Sequence, residues 1–174
     1  MGPPGSSGPP AVRGPLASPG FWLHQAALAW LHELDTRLRP LQLTHTQFTL
    51  LAAVSFLGKT LETVPTQQQV ADFAGSDRMM ASKVLRVLVE RGLVTRAQDP
   101  DDARVLRLSS TAEGDVLVRD AALAAREVDN LFFGDDEDRV VWREHLQTIA
   151  EQKKPPRSID PANLPQTRWV AEDP

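Results

Sequence analysis

Residues 76–96 read SDRMMASKVLRVLVERGLVTR. Arg78, Ser82, Lys83 and Arg86 recur there at the three- and four-residue spacing that gathers side chains on one face of a helix. Val84, Leu85 and Leu88, with Met80 or Ala81 one turn earlier, make an apolar stripe on the other face. Guanidinium and ammonium groups donate to phosphate oxygens and to guanine O6 and N7, and a serine hydroxyl bonds a base or a phosphate. A basic, hydroxyl-bearing front on an apolar back meets the chemical requirement for reading a major groove. Many solvated surface helices look the same, so the neighbouring elements must decide.

The chain has 174 residues, enough for one compact domain with tails, and 41% of them are apolar. Its net charge of −4 argues against wholesale coating of nucleic acid, but the charge is unevenly spread. Residues 78–107 hold seven basic side chains (Arg78, Lys83, Arg86, Arg91, Arg96, Arg104 and Arg107) against four acidic ones. Residues 113–144 hold ten acidic against four basic. That asymmetry suits a protein presenting one face to phosphate and keeping another away from it.

Several chemistries are excluded or disfavoured. The absence of cysteine removes disulfides, thiolate metal sites and thiol-based peroxide sensing. His24, His32, His45 and His145 have no close ligand spacing, so no metal and no cofactor is expected. There is no Gly-rich phosphate loop, no G-x-S-x-G elbow and no pair of carboxylates in an apolar setting, so an enzyme is not expected. The acidic groups at 99–102 and 135–138 read as a turn and a helix start. No run approaches the roughly 20 apolar residues needed to span a bilayer, and the N-terminus lacks a signal-peptide core; a cytoplasmic protein with no membrane partner is expected.

The elements that position the basic helix follow from caps and breakers. Residues 1–18 form a Pro/Gly-rich arm that cannot bury enough apolar surface to order itself. Ser18 and Pro19 then start a helix through Arg39, whose stripe of Phe21, Trp22, Leu23, Leu28, Trp30 and Leu31 is wide enough to meet a second partner. A Thr44–Gln47 capping box opens a second helix that Gly58 closes, and a Thr66–Gln69 box opens a short third helix ended by Gly75. A short helix, a glycine turn and a longer helix make a helix-turn-helix. Behind Gly92, residues 93–97 and 104–108 read as two strands around a polar tip, a hairpin wing. A cap at Ser110, paired with Glu113, begins a fifth helix to about Phe133, and Asp135 and Asp136 begin a sixth that Pro155 and Pro156 stop. Leu164, Trp169 and Val170 could dock from the Pro-rich tail.

Three stretches lying in register carry a resemblance. Residues 83–94 (KVLRVLVERGLV) are similar to the recognition-helix exit of the MarR (multiple antibiotic resistance regulator) family. Residues 99–104 (DPDDAR) resemble its wing, which typically reads D-P-x-D-R-R, and residues 110–114 (STAEG) stand where the family has L-T-x-x-G. Ala103 replaces the first wing arginine and Ser110 the usual leucine. The resemblance covers residues 19–153. It implies a mainly α fold with a small β-hairpin wing: a winged helix-turn-helix at 44–109, flanked by dimerisation helices at 19–39 and 111–153, with a Pro-rich tail at 154–174.

The expected function is that of a DNA-binding transcription regulator, a homodimeric repressor of pseudo-palindromic operators in double-stranded DNA. Arg78, Met79, Ser82, Lys83 and Arg86 would face the major groove, with Asp77 as helix cap and Met80 as core filler. Arg104 at the wing tip would enter the minor groove, oriented by an ion pair with Asp102. Arg96 and Arg107 would touch phosphates or pair with the acidic tip, and Thr66 and Gln67 would meet phosphate at the start of the third helix. The resemblance further implies a small aromatic or anionic effector that releases the DNA, in a cleft where Trp22, Trp30, His45 and Phe48 are candidate lining; each of these also reads as an ordinary core or interface residue. The alternative from another class is a winged-helix module that binds protein and no specific DNA.

Overall fold

The computed structural model describes residues 14–152. In order they form a 3-10 turn Gly14–Ala17, α1 Pro19–Leu38, a second 3-10 turn Arg39–Leu41, α2 His45–Thr60, α3 Gln67–Phe73, α4 Arg78–Glu90, β1 Val94–Gln98, β2 Leu106–Ser110, α5 Ala112–Phe133 and α6 Asp136–Glu151. The fold is mainly α with one antiparallel hairpin, as expected. Residues 14–17, the end of the expected arm, are ordered as a turn whose Leu16 carbonyl accepts the Trp22 indole N–H. The expected stop at Pro155 and Pro156 and the docking residues Leu164, Trp169 and Val170 lie outside the described residues. No described helix is long and apolar enough to cross a membrane.

Local sequence accounts for most helix starts. Thr44 with Gln47, and Thr66 with Gln69, close reciprocal capping boxes at α2 and α3, each side chain satisfying the other residue's backbone amide. Asp77 accepts the amides of Met79 and Met80 at α4, and Asp135 those of Glu137 and Asp138 at α6. Gly75 and Gly92 both take left-handed backbone angles, φ 61° and 73°, and each lets the next residue's amide reach back to an orphan helix carbonyl (Ser76 to Ala71, Leu93 to Leu88).

Two starts and stops differ from expectation. The cap of α5 is Thr111, which accepts the amide of Gly114; Ser110 stays in β2 and donates instead to the Asp115 carboxylate, 2.8 Å away. Helix α2 runs through Gly58 to Thr60, because Leu57 is fully buried and the Leu61 amide still bonds the Leu57 carbonyl; the packed face outweighs the propensity of one glycine.

Two cores share α5. One gathers Leu50, Val54 and Leu57 of α2, Val70 and Ala71 of α3, Ala81, Leu85 and Leu88 of α4, Val94 and Leu108 of the hairpin, and Val118 of α5. The other joins Leu34 and Leu38 of α1 to Ala121 and Val128 of α5, with Trp30 and Phe48 against it. At the seam, Asp115 accepts hydrogen bonds from Ser55 of α2 (2.7 Å) and Ser110 of β2, with the Lys59 ammonium 3.6 Å away. Burial alone would raise the Asp115 carboxyl, but the two hydroxyls and the lysine outweigh it and hold it below the ordinary aspartate range.

Candidate nucleic-acid interface

Helix α4 is anchored by Ala81, Leu85 and Leu88, all buried. At 100° per residue, Met79, Lys83 and Arg86 then stand on the opposite side, with half-buried Ser82 on its flank and Arg78 exposed in the first turn. Met79 is 71% exposed and Met80 52%. The placement of Met80 in the core is therefore corrected. Ala81 fills the inward position one turn before Leu85, and Met80, a residue earlier, is rotated about 100° away from it. Asp77 acts as the cap, as its type and position imply. Among the described residues, the side chains of Arg78, Ser82, Lys83, Arg86, Arg96 and Arg104 make no hydrogen bond or ion pair to another side chain or to backbone.

The wing is built around Asp99, a carboxylate whose place in the sequence marks only a turn. Strand register pairs Val94 with Ser110 and Gln98 with Leu106, so the second strand starts at Leu106 and Arg104 lies in the connecting loop. Asp99 is only 7% exposed. It accepts the amides of Asp101 (2.8 Å) and Asp102 (3.1 Å) and ion-pairs with Arg107 across the hairpin. The Asp101 amide, helped by the Arg107 guanidinium and the Asp102 amide and opposed by burial, lowers the Asp99 carboxyl below its ordinary range. Arg107 also donates to the Val64 carbonyl ahead of α3. Of the two roles foreseen for Arg107, pairing with the acidic tip is the one its geometry takes. The D-P-D-D run held the signal, since an aspartate two residues before open amides is an Asx-turn former.

Asp102 differs from its expected part. Its carboxylate accepts the backbone N–H of Arg104 at 3.0 Å and forms no ion pair with the guanidinium, so it shapes the loop and leaves the Arg104 side chain exposed. Arg96 is exposed on β1. Thr66 spends its hydroxyl on capping α3 and its backbone on a bridge to Arg107, while the Leu108 amide bonds the Pro65 carbonyl. The wing is thus stitched to the start of α3. Gln67 is half-buried, and its Oε1 has no hydrogen-bond partner among the described residues.

The structure brings two of the four residues named for an effector, Trp30 and Phe48, together on the second core. The Trp30 indole N–H donates to Asp129 of α5 at 2.9 Å. Trp22 lies eight residues earlier on α1, about 12 Å along the axis, and is exposed. His45 faces Asp35, with Nδ1 3.2 Å from the carboxylate and its amide 2.7 Å from it. Burial pushes the Asp35 carboxyl up, and the His45 amide and ring bring it to a net value below the ordinary range. A cleft of about 330 Å³ instead opens where Gln42, Arg91, Leu93, Val116 and Leu117 meet, between the α1–α2 turn, the end of α4 and the start of α5. Arg91 reaches into this region and donates to the Gln42 carbonyl at 2.8 Å.

A capped short helix, a glycine turn, a second helix with a basic outward face, and a hairpin carrying exposed arginines together define a winged helix-turn-helix protein. The sequence profile of the MarR family matches residues 41–105, which run from the α1–α2 turn into the wing. An uncharacterized HTH-type transcriptional regulator of Bacillus subtilis (strain 168), YdcH, is 38% identical over 120 residues, covering 69% of this chain and 81% of that protein. A MarR-family transcriptional regulator from Rhodococcus sp. RHA1 superposes with a TM-score of 0.67 at 26% identity, over 77% of this chain and 93% of that one. CouR from Rhodococcus jostii RHA1, bound to p-coumaroyl-CoA, does so with a TM-score of 0.68 at 27% identity, over 82% of this chain and 98% of its own. The chain belongs to the MarR family and is a DNA-binding, HTH-type transcription regulator.

Proposed function

We propose that this regulator is a homodimeric repressor that binds a pseudo-palindromic operator and is released by a small effector. The observation that carries the reading is the row of unpaired cationic and hydroxyl groups on α4 (Arg78, Ser82, Lys83 and Arg86), flanked by Arg96 and Arg104 of the wing. The first turns of α4 enter a major groove, the wing arginine takes the adjacent minor groove, and Arg96 lies along the backbone. Met79 sits among the groove-facing residues. Thr66, Asp102 and Arg107 serve the same surface by holding the wing and the start of α3 in place, and Gln67, whose Oε1 has no hydrogen-bond partner among the described residues, meets phosphate at the start of α3.

The flanking helices supply the dimer. Trp22, Leu23 and Leu28 of α1, Leu123 and Leu131 of α5, and Val141, Trp142 and Ile149 of α6 are exposed, and α6 buries no residue of its own. Large apolar side chains left exposed in this number on three helices support an interface there. Residues 19–39 and 111–153 are thus assigned to dimerisation, 44–109 to DNA, with the ends of the chain outside both. A two-fold dimer presents its α4 helices to half-sites about one DNA turn apart, hence the pseudo-palindrome.

For the effector, support comes from the cleft beside Arg91 and from CouR, whose bound p-coumaroyl-CoA carries both an aromatic acyl group and phosphates. An aromatic or anionic molecule seated between the α1–α2 turn and α5 would act on the joint between the DNA-reading and dimer helices. The protein works on chromosomal DNA in the cytoplasm.

A gel-shift titration of the full chain against the DNA upstream of its own gene tests this. Binding is expected to be salt-sensitive, falling by orders of magnitude from low to moderate salt if roughly six to ten phosphates are contacted. Lys83→Ala combined with Arg104→Ala should abolish it, and sedimentation should return a two-chain mass. Wild-type protein with no salt-sensitive preference over random DNA would sink the proposal.

A further inference from the structure

The sequence has three methionines: Met1, Met79 and Met80. Both internal ones stand exposed in the first turn of α4. Neither fills a core gap, the ordinary use of this flexible side chain. Met79 is the more exposed and lies at the centre of the outward face, in one row with Ser82, Lys83 and Arg86.

From this placement we infer that Met79 is a specificity-determining residue that reads the C5-methyl group of a thymine in the operator's major groove. The inference rests on α4 entering that groove, as proposed above. Three features support it. The backbone of Met79 is held by the Asp77 carboxylate, which accepts its amide at 2.9 Å and that of Met80 at 3.3 Å, so the side chain leaves from a fixed point. Side chains on a helix tilt toward its N-terminus, so a residue in the first turn leads the helix into the groove, where the first turns meet base edges. The apolar surface is ringed by Arg78, Lys83 and Arg86, cations that bring the flanking phosphates and guanines within reach but cannot favour a methyl group. The thymine methyl is the one apolar mark on the major-groove edge of the bases, and a thioether chain is a neutral, adaptable surface for it. The bases contacted by Lys83 and Arg86 would then be guanines or phosphates, with a thymine between or beside them.

Removing one methyl isolates the contact. The full chain is used to select a high-affinity duplex from a random library, and each thymine in that duplex is replaced in turn by deoxyuridine, which lacks only the methyl. One symmetry-related thymine per half-site should be sensitive, costing about fourfold in affinity singly and roughly fifteenfold when both are replaced, the loss expected for burying one methyl fewer at each. Met79→Ala should bind thymine and deoxyuridine duplexes alike at those positions, with an essentially unchanged melting temperature because the side chain is 71% exposed and belongs to neither core. Met79→Leu should keep a thymine preference, and Met80→Ala should keep the full penalty. If wild type binds the selected duplex but no deoxyuridine replacement weakens it, or Met79→Ala retains the penalty, or Met80→Ala removes it, Met79 is not the reader while the DNA-binding reading stands. If no duplex is selected at all, both fall.

Discussion

Two glycines in helices should respond in opposite directions to the same substitution. At Gly114, in the first turn of α5, an added Cβ would sit 2.1 Å from the Leu93 carbonyl oxygen and 3.1 Å from its carbon. Both are backbone atoms, and that oxygen already accepts the Thr111 amide at 3.1 Å, while the Thr111 hydroxyl donates to Gly92 at 2.8 Å. No rotamer relieves the clash, so the start of α5 must move off the α4–β1 junction by about an ångström. Overpacking of this kind costs about 1–3 kcal/mol, and losing a hydrogen bond adds about 1 kcal/mol, against a gain of about 1 kcal/mol in helix propensity. Gly114→Ala should therefore destabilise by about 1–3 kcal/mol, a fall in Tm of roughly 2–12 °C. Gly58, inside α2, has nothing within 4 Å of its Cβ position, so Gly58→Ala should gain about 0.5–1 kcal/mol and a few degrees of Tm. Scanning calorimetry at fixed chain concentration measures both, since the proposed dimerisation would make Tm concentration-dependent. A Gly114→Ala Tm at or above wild type would refute the contact argument, and a fall for Gly58→Ala would refute the claim that α2 continues through that position.

Three further outcomes follow from the pairing geometry. Arg107→Ala strands the Asp99 carboxylate and frees Val64, so it should lower Tm and weaken DNA binding together, whereas Arg104→Ala should weaken binding at unchanged Tm; Arg107→Ala at wild-type Tm would mean the wing is not held by that pair. Asp115 has a depressed carboxyl in the folded state, so its stabilising contribution is complete above the unfolded aspartate range, about pH 4, and is lost as pH falls through the lower folded value. The urea midpoint of wild type minus that of Asp115→Asn should thus shrink on acidification below about pH 5, and a difference that grows instead would contradict the sign. Trp30→Phe removes the indole donor to Asp129 between α1 and α5 and should cost about 1 kcal/mol in chemical denaturation; no change would mean the bond adds nothing over water.

What could be read from the chain was local. The boxes at Thr44–Gln47 and Thr66–Gln69, the aspartate caps and the turns at Gly75 and Gly92 each involve residues within six positions of one another, and each is observed. What was misread depended on distant partners. Ser110 and Thr111 are equally good caps by type; Ser110 is excluded because it pairs in β2 with Val94, where Asp115 binds it together with Ser55 from a helix 60 residues away. Gly58 looks like a stop until the burial of Leu57 and Val54 is known. Met80 and Ala81 both fall a turn before the 84–85 pair, and only the packing of α4 on α2 and α3 selects Ala81.

The same logic divides the candidate site. Exposed cations on α4 follow from periodicity, so Lys83 and Arg86 were legible. Arg104 and Arg107, three residues apart in a basic wing, cannot be told apart by type. Strand register turns Arg107 inward onto Asp99 and leaves Arg104 in the loop beyond the last ladder pair. A wing arginine can hold the hairpin or touch DNA, and a guanidinium bonded to a buried carboxylate and a backbone carbonyl has little left to offer a phosphate. The stitch from Arg107 to Val64 and the bridge from Thr66 to Arg107 then fix the loop carrying Arg104 relative to α3, and the Phe73–Phe56 stack at 5.4 Å ties α3 to α2. Wing and α4 are in this way referred to one rigid base, which is the condition for two contacts in adjacent grooves to be made at a fixed spacing.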